Sequence, residues 1–129
     1  KHSCALKESG EVICWGDDIN SKLEVPEDTI FTQISSFRDH TCGIDDKNEI
    51  ICWGANSYDQ IQPQSEKFIS VEVGSIFSCG ITEAHTIKCW GYDYNGKLTP
   101  PEGEFEQISA GERSICAIYK NSIVTCWGK

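Results

Sequence analysis

The tripeptide Cys-Trp-Gly occurs four times in this 129-residue chain, at 14–16, 52–54, 89–91 and 126–128, with spacings of 38, 37 and 37 residues. Ten residues upstream of each copy stands another cysteine: Cys4, Cys42, Cys79 and Cys116. A period of this length marks an array of small units, each burying its faces against the next. Between these segments the pattern continues with Leu23, Ile61 and Leu98, then Pro26, Pro63 and Pro100, then Phe31, Phe68 and Phe105, then Ile34, Val71 and Ile108. The repeats run approximately 2–39, 40–76 and 77–113, with a partial copy at 114–129.

Each segment from the first cysteine to Cys-Trp-Gly reads as a tight hairpin. Setting the two cysteines opposite one another leaves a three-residue loop whose last residue must be left-handed. Gly10, Asn48, His85 and Ser122 stand there, and Gly and Asn are the usual occupants of that conformation. In this register one face carries Cys4, Leu6, Val12 and Cys14, and the other carries small residues, Ala5, Gly43, Gly80 and Ala117. A sheet with one apolar face and one face of small residues suits stacking between two neighbours. Composition agrees, since Ile and Val together number 21 against 3 Leu and no Met, and β-branched side chains fit pleated strands. The expected fold is all-β.

A formal net charge of −9 argues against a nucleic-acid partner. No stretch has the length and apolarity of a membrane-spanning helix, so no membrane insertion is expected within these residues. Eight cysteines point to an oxidising compartment, and the expected location is extracellular or at the cell surface. The chain opens at Lys1 and stops one residue after Gly128, so a portion of a longer chain is expected, with a ring completed by a second chain as the alternative.

The hairpin segment "HSCALKESGEVICWG", followed by a polar turn and then Leu or Ile and Pro, resembles the repeats of the regulator-of-chromosome-condensation superfamily of β-propellers. It is similar in particular to their cysteine-rich extracellular forms, as in crinkly-type plant receptor kinases and secreted microbial propellers. The resemblance covers essentially the whole chain and implies propeller blades, about half of a seven-bladed ring. The family's turn after Trp-Gly, roughly x-Asn-x-x-Gly-Gln-Leu, has diverged: Asn56 alone keeps the Asn and Gly96 alone the Gly.

Eight cysteines allow 105 pairings, but the constant offset and facing register select Cys4 with Cys14, Cys42 with Cys52, Cys79 with Cys89 and Cys116 with Cys126. Each closes a loop of about eleven residues, a constraint worth about 3 kcal/mol in the chain-entropy model. No Cys-x-x-Cys exists, so no metal is expected. His2 and His40 occupy a slot that holds Phe77 and Ser114 in later copies. A slot accepting His, Phe and Ser serves packing, so no catalytic residue, cofactor or enzymatic activity is expected.

Trp15, Trp53, Trp90 and Trp127, with Phe31, Phe68 and Phe105, are expected in the core, because a residue fixed in every copy serves the stack. A carbohydrate platform of these tryptophans is the alternative. Recognition residues are expected in the divergent turns after Trp-Gly, namely Asp18, Asn56, Tyr58, Tyr92, Asp93 and Tyr94. Their composition suits a protein partner, and further copies or repeats of the same protein are expected to cover the apolar face around Leu6 and Val12 or that around Ile118 and Val124. The expected function is a non-catalytic interaction or structural module, a segment of a secreted or surface assembly such as a fibre. A ligand-sensing receptor ectodomain and a secreted enzyme inhibitor are the alternatives.

Overall fold

The structure is a computed structural model that describes residues 1–93, 96 and 98–128. Its strands form four antiparallel sheets in chain order. The first has two strands, β1 (His2–Leu6) and β2 (Val12–Gly16). The second has three: β3 (Phe31–Phe37), β4 (His40–Asp45) and β5 (Ile50–Gly54). The third repeats this with β6 (Phe68–Val73), β7 (Phe77–Thr82) and β8 (Ile87–Gly91). The fourth contains β9 (Phe105–Ala110), β10 (Ser114–Tyr119) and β11 (Val124–Gly128). These are four propeller blades, numbered here 1 to 4.

The hairpins have the expected register, with Cys4 opposite Cys14, Cys42 opposite Cys52, Cys79 opposite Cys89 and Cys116 opposite Cys126. All four pairs are disulfide-bonded, with Cα atoms 4.0–4.1 Å apart. Gly10, Asn48, His85 and Ser122 have φ of 89°, 64°, 66° and 72°, so each loop closes through a left-handed residue.

A third strand comes from the connector. The Phe and Ile or Val positions lie on β3, β6 and β9, which pair with the first hairpin strand of the blade that follows. A sheet and a sequence repeat are therefore out of phase: the repeat at 2–39 supplies the hairpin of blade 1 and the inner strand of blade 2. Each inner strand starts on the previous blade's hairpin loop, where the N–H groups of Phe31, Phe68 and Phe105 donate to the carbonyls of Gly10, Asn48 and His85, all at 2.8 Å.

The core consists of three seams between blades. One face of each blade carries its disulfide and the other its tryptophan. Val12, Cys4, Leu6 and Cys14 of blade 1 meet Phe31, Ile34, Ile51 and Trp53 of blade 2. Cys42, Ile44 and Ile50 of blade 2 meet Phe68, Val71, Val73 and Trp90 of blade 3. Phe77, Cys79, Ile81 and Ile87 of blade 3 meet Phe105, Ile108, Ile115 and Ala117 of blade 4. Each fully buried Phe or Ile contributes about 1.5–3 kcal/mol. The small residues explain themselves here: a Cβ at Gly43 would lie 2.5 Å from the Phe31 ring, and one at Gly80 2.6 Å from the Phe68 ring.

Two expectations change. Leu6 and Val12 belong to the first seam, so the uncovered face of blade 1 is its other one, bearing Ile13 and Trp15. Trp15 is 52% exposed, whereas Trp53 and Trp90 are buried and Trp127 is partly so. Trp15 leaves the core because no blade stacks on that face among the described residues. The uncovered face of blade 4 is as expected, with Val124 61% exposed.

Candidate partner-binding surface

The strand order puts two sets of loops on opposite rims. Residues 7–11, 45–49, 82–86 and 119–123 form the hairpin rim. The turns after Trp-Gly form the other, the connector rim. There the N–H groups of Asp17, Ala55 and Tyr92 donate to the carbonyls of Lys1, Asp39 and Ile76, fastening each turn to the start of its own blade's hairpin.

Within these turns Asp18, Asn56 and Asp93 share one role. The side-chain Oδ1 of each accepts the N–H of the residue five positions on, Leu23 at 3.0 Å, Ile61 at 3.2 Å and Leu98 at 3.0 Å. A short side chain that satisfies a nearby backbone donor holds a turn the ladder cannot. Asp18 and Asp93 thus do what Asn56 does, and the divergence at that position conserves an acceptor oxygen. Each of the three is thus bonded to its own connector while it stays exposed on the rim.

The rim presents exposed Asp, Asn and Ser side chains together with a few large apolar and aromatic ones. Tyr58 and Tyr92, from the turns after blades 2 and 3, are 45% and 41% exposed. Their rings meet edge to face with centroids 5.1 Å apart, a geometry aromatic quadrupoles favour. Ile19 stands exposed in the first turn. Tyr94 lies outside the described residues.

Lys22, which the sequence reading passed over, is buried on this rim with its Nζ 3.0 Å from Asp39 Oδ1 and 4.0 Å from Asp17 Oδ2. The N–H of Ile19, donated to its Oδ1, holds Asp17 below the usual carboxylate range. Gln60, equivalent to Lys22 by the repeat, is buried too, and its carbonyl accepts Trp90 Nε1–H at 3.0 Å and Ser78 Oγ–H at 2.9 Å. A buried Lys paired with carboxylates ties the turn after blade 1 to the β3–β4 turn of blade 2. Only its repeat position beside Gln60 hinted at this.

The histidines stitch seams. His2 Nε2 and Thr41 Oγ1 share a hydrogen bond of 2.8 Å across the first seam, and His40 Nε2 and Ser78 Oγ share one of 2.9 Å across the second. Burial pushes His40 down from its ordinary 6.5 to about 4. In the third seam the slots hold Phe77 and Ile115, both buried. Elsewhere Glu72 is raised by burial, against a hydrogen bond from Ser35, and the Lys88 ammonium lowers the half-buried Glu66.

Comparison with known proteins agrees with this architecture. The family model for the regulator of chromosome condensation (RCC1) repeat matches residues 1–21 and 31–60. No curated protein matches the chain in sequence. Among solved structures, the crinkly ectodomain of an Arabidopsis thaliana receptor kinase is 29% identical with a TM-score of 0.86, over 98% of this chain and 47% of that one. The entire ectodomain of a Physcomitrella patens receptor kinase is 29% identical with a TM-score of 0.85, over 98% of this chain and 39% of that one. Yeast RCC1, solved bound to Kap60, shares the fold at 18% identity and a TM-score of 0.80, over 98% of this chain and 41% of that one. The chain thus spans less than half the length of these structures. The disulfide-stapled blades of this chain are similar in fold to those of these propellers, and its residues 1–21 and 31–60 match the regulator-of-chromosome-condensation repeat.

Proposed function

We propose that the chain is a non-catalytic, protein-binding propeller segment that works outside the cell, and that its connector rim receives the partner. The observation that carries this is the exposed Tyr58–Tyr92 pair, held over two connectors whose backbones are locked by Asn56 and Asp93. Rigidly placed tyrosines offer large contact area at low entropic cost, and interface centres are enriched in them. Four disulfides and the likeness to two plant receptor ectodomains support extracellular use. That likeness also favours a receptor ectodomain as the second reading, ahead of a fibre subunit or an enzyme inhibitor.

A photo-crosslinking residue placed at Tyr58, at Tyr92, or at Glu83 on the hairpin rim tests the reading in the protein's own host cells. One adduct formed from positions 58 and 92 but not from 83 supports it. Adducts from 83 alone, or equal labelling at all three, would move the partner off this rim.

A further inference from the structure

The three connectors differ in length by one residue, and the extra one lies in a single place. Between Leu23 and Pro26 the first connector has Glu24 and Val25, where the second has only Gln62 before Pro63 and the third only Thr99 before Pro100. This accounts for the first spacing of 38 residues against 37 and 37. The added length brings Val25 against the first seam, where it packs on the cluster of Val12, Phe31 and Trp53.

On the hairpin rim this connector and the hairpin of blade 1 enclose a crevice of about 630 Å³, within the size range of sites that take a ligand or a partner's side chain. Its apolar lining is Val12, Val25, Pro26 and Ile30. Ile30 rests on the hairpin loop, where a Cβ at Gly10 would collide with its Cγ2, yet it is 54% exposed. Its counterparts by the repeat are Lys67 and Glu104, and both give their charges to neighbours. Lys67 Nζ donates to the carbonyl of Lys47 at 2.9 Å and lies 3.5 Å from Glu49, and Glu104 lies 3.6 Å from Lys120. At this position an apolar side chain stands in the first connector alone.

Carboxylates border this apolar lining: Glu11, Glu27 and Asp28. Glu11 holds Lys7 at 2.7 Å, while Glu27 and Asp28 are exposed and make no ion pair among the described residues. Residues 7–11 and 24–30 together contain five carboxylates against one lysine. A second crevice on the same rim differs, because both oxygens of its Glu66 are already bonded by Lys88, at 2.7 and 2.8 Å. Unpaired carboxylates around an apolar lining complement a segment that carries an apolar side chain between cations. We propose that this crevice docks a basic, extended segment of another protein. One side chain the size of Leu enters between Val12, Val25 and Ile30, and flanking Lys or Arg residues pair with Glu27 and Asp28. The site lies within the seam between blades 1 and 2, on the rim opposite the Tyr58–Tyr92 pair, and does not depend on that pair as a partner site.

The test maps amide chemical shifts of the oxidised, isotope-labelled chain against three synthetic peptides: acetyl-Lys-Arg-Leu-Arg-Lys-amide, the same peptide with Gly at its centre, and acetyl-Glu-Asp-Leu-Asp-Glu-amide. The first should shift Glu11, Val12, Val25 and Ile30 saturably, with a dissociation constant below about 1 mM. The Gly form should bind roughly tenfold or more weakly, and the acidic peptide should not bind. Raising salt from about 0.05 to about 0.5 M should weaken binding several-fold. Changing the exposed pair together, Glu27→Gln with Asp28→Asn, should weaken it roughly fivefold or more. Ile30→Lys, which installs the residue of the second connector, should do the same, with circular dichroism unchanged for both variants. The proposal is overturned by equal binding of the Leu and Gly peptides, by binding insensitive to salt, or by shifts centred elsewhere or spread over the acidic surface without saturation. Undiminished binding by the Glu27→Gln, Asp28→Asn variant, or no binding up to about 2 mM, overturns it as well.

Discussion

Blade 3 and blade 1 are built from the same hairpin, yet they stand in different surroundings. In blade 3 both faces are covered, Cys79 and Ile81 are fully buried, and Trp90 is packed against Phe68 with its N–H satisfied. In blade 1 only the disulfide face is covered, and its tryptophan faces solvent. The same residue type at the same repeat position is thus core in one place and surface in the other. What decides is the presence of a neighbour and an inner strand, and neither is local to the hairpin.

The largest expected effect separates the two tryptophans. Trp90→Ala should cost about 3–5 kcal/mol in urea unfolding, and Trp15→Ala less than about 1 kcal/mol. Equal losses would mean that Trp15 is buried by something the blade stack does not explain. Acid should act next, through the second seam. Because His40 is held at about 4 in the folded chain against an ordinary 6.5, stability is full above pH 6.5 and falls as pH drops from 6.5 towards 4. The loss is on the order of 3 kcal/mol. The third seam, with Phe77 and Ile115 in those slots, has no such term. His40→Phe should flatten the pH dependence between 6.5 and 4, and an unchanged slope would place its origin in the carboxylates. The smallest effect concerns the residue under the inner strand. Gly80→Ala should cost about 1–3 kcal/mol, since its Cβ meets the Phe68 ring, while Ala5→Gly in blade 1 should cost about 0.5–1 kcal/mol, the propensity term alone. Thermal unfolding monitored by circular dichroism ranks the two, and a larger loss at Ala5 would contradict an open edge there.

The hairpins were legible because their determinants are local. Cysteine offset and a left-handed loop residue set the register, and both recur at 37 to 38 residues. The inner strands were legible only as positions. A register shift between Phe31 and Gln33, repeated between Phe68 and Ser70, breaks the alternation by which a strand is recognised, so Phe and Ile were seen without the strand that holds them. Trp15 was misplaced because its burial depends on a stacked blade, which no count of copies reveals. In the connectors, tyrosines and carboxylates looked alike as surface residues. Only the folded turns show the side-chain oxygens of Asp18, Asn56 and Asp93 accepting backbone N–H groups, and the rings of Tyr58 and Tyr92 meeting edge to face.

The offset between repeat and sheet has a consequence for how such an array changes length. A window of about 37 residues, cut in any loop, carries one inner, one middle and one outer strand, whether those strands belong to one sheet or to two. Duplicating or deleting such a window by unequal recombination would therefore leave every internal sheet complete and change only the number of blades. No privileged breakpoint is needed, so copy number can drift while each seam keeps its chemistry. Only the two terminal blades register the difference.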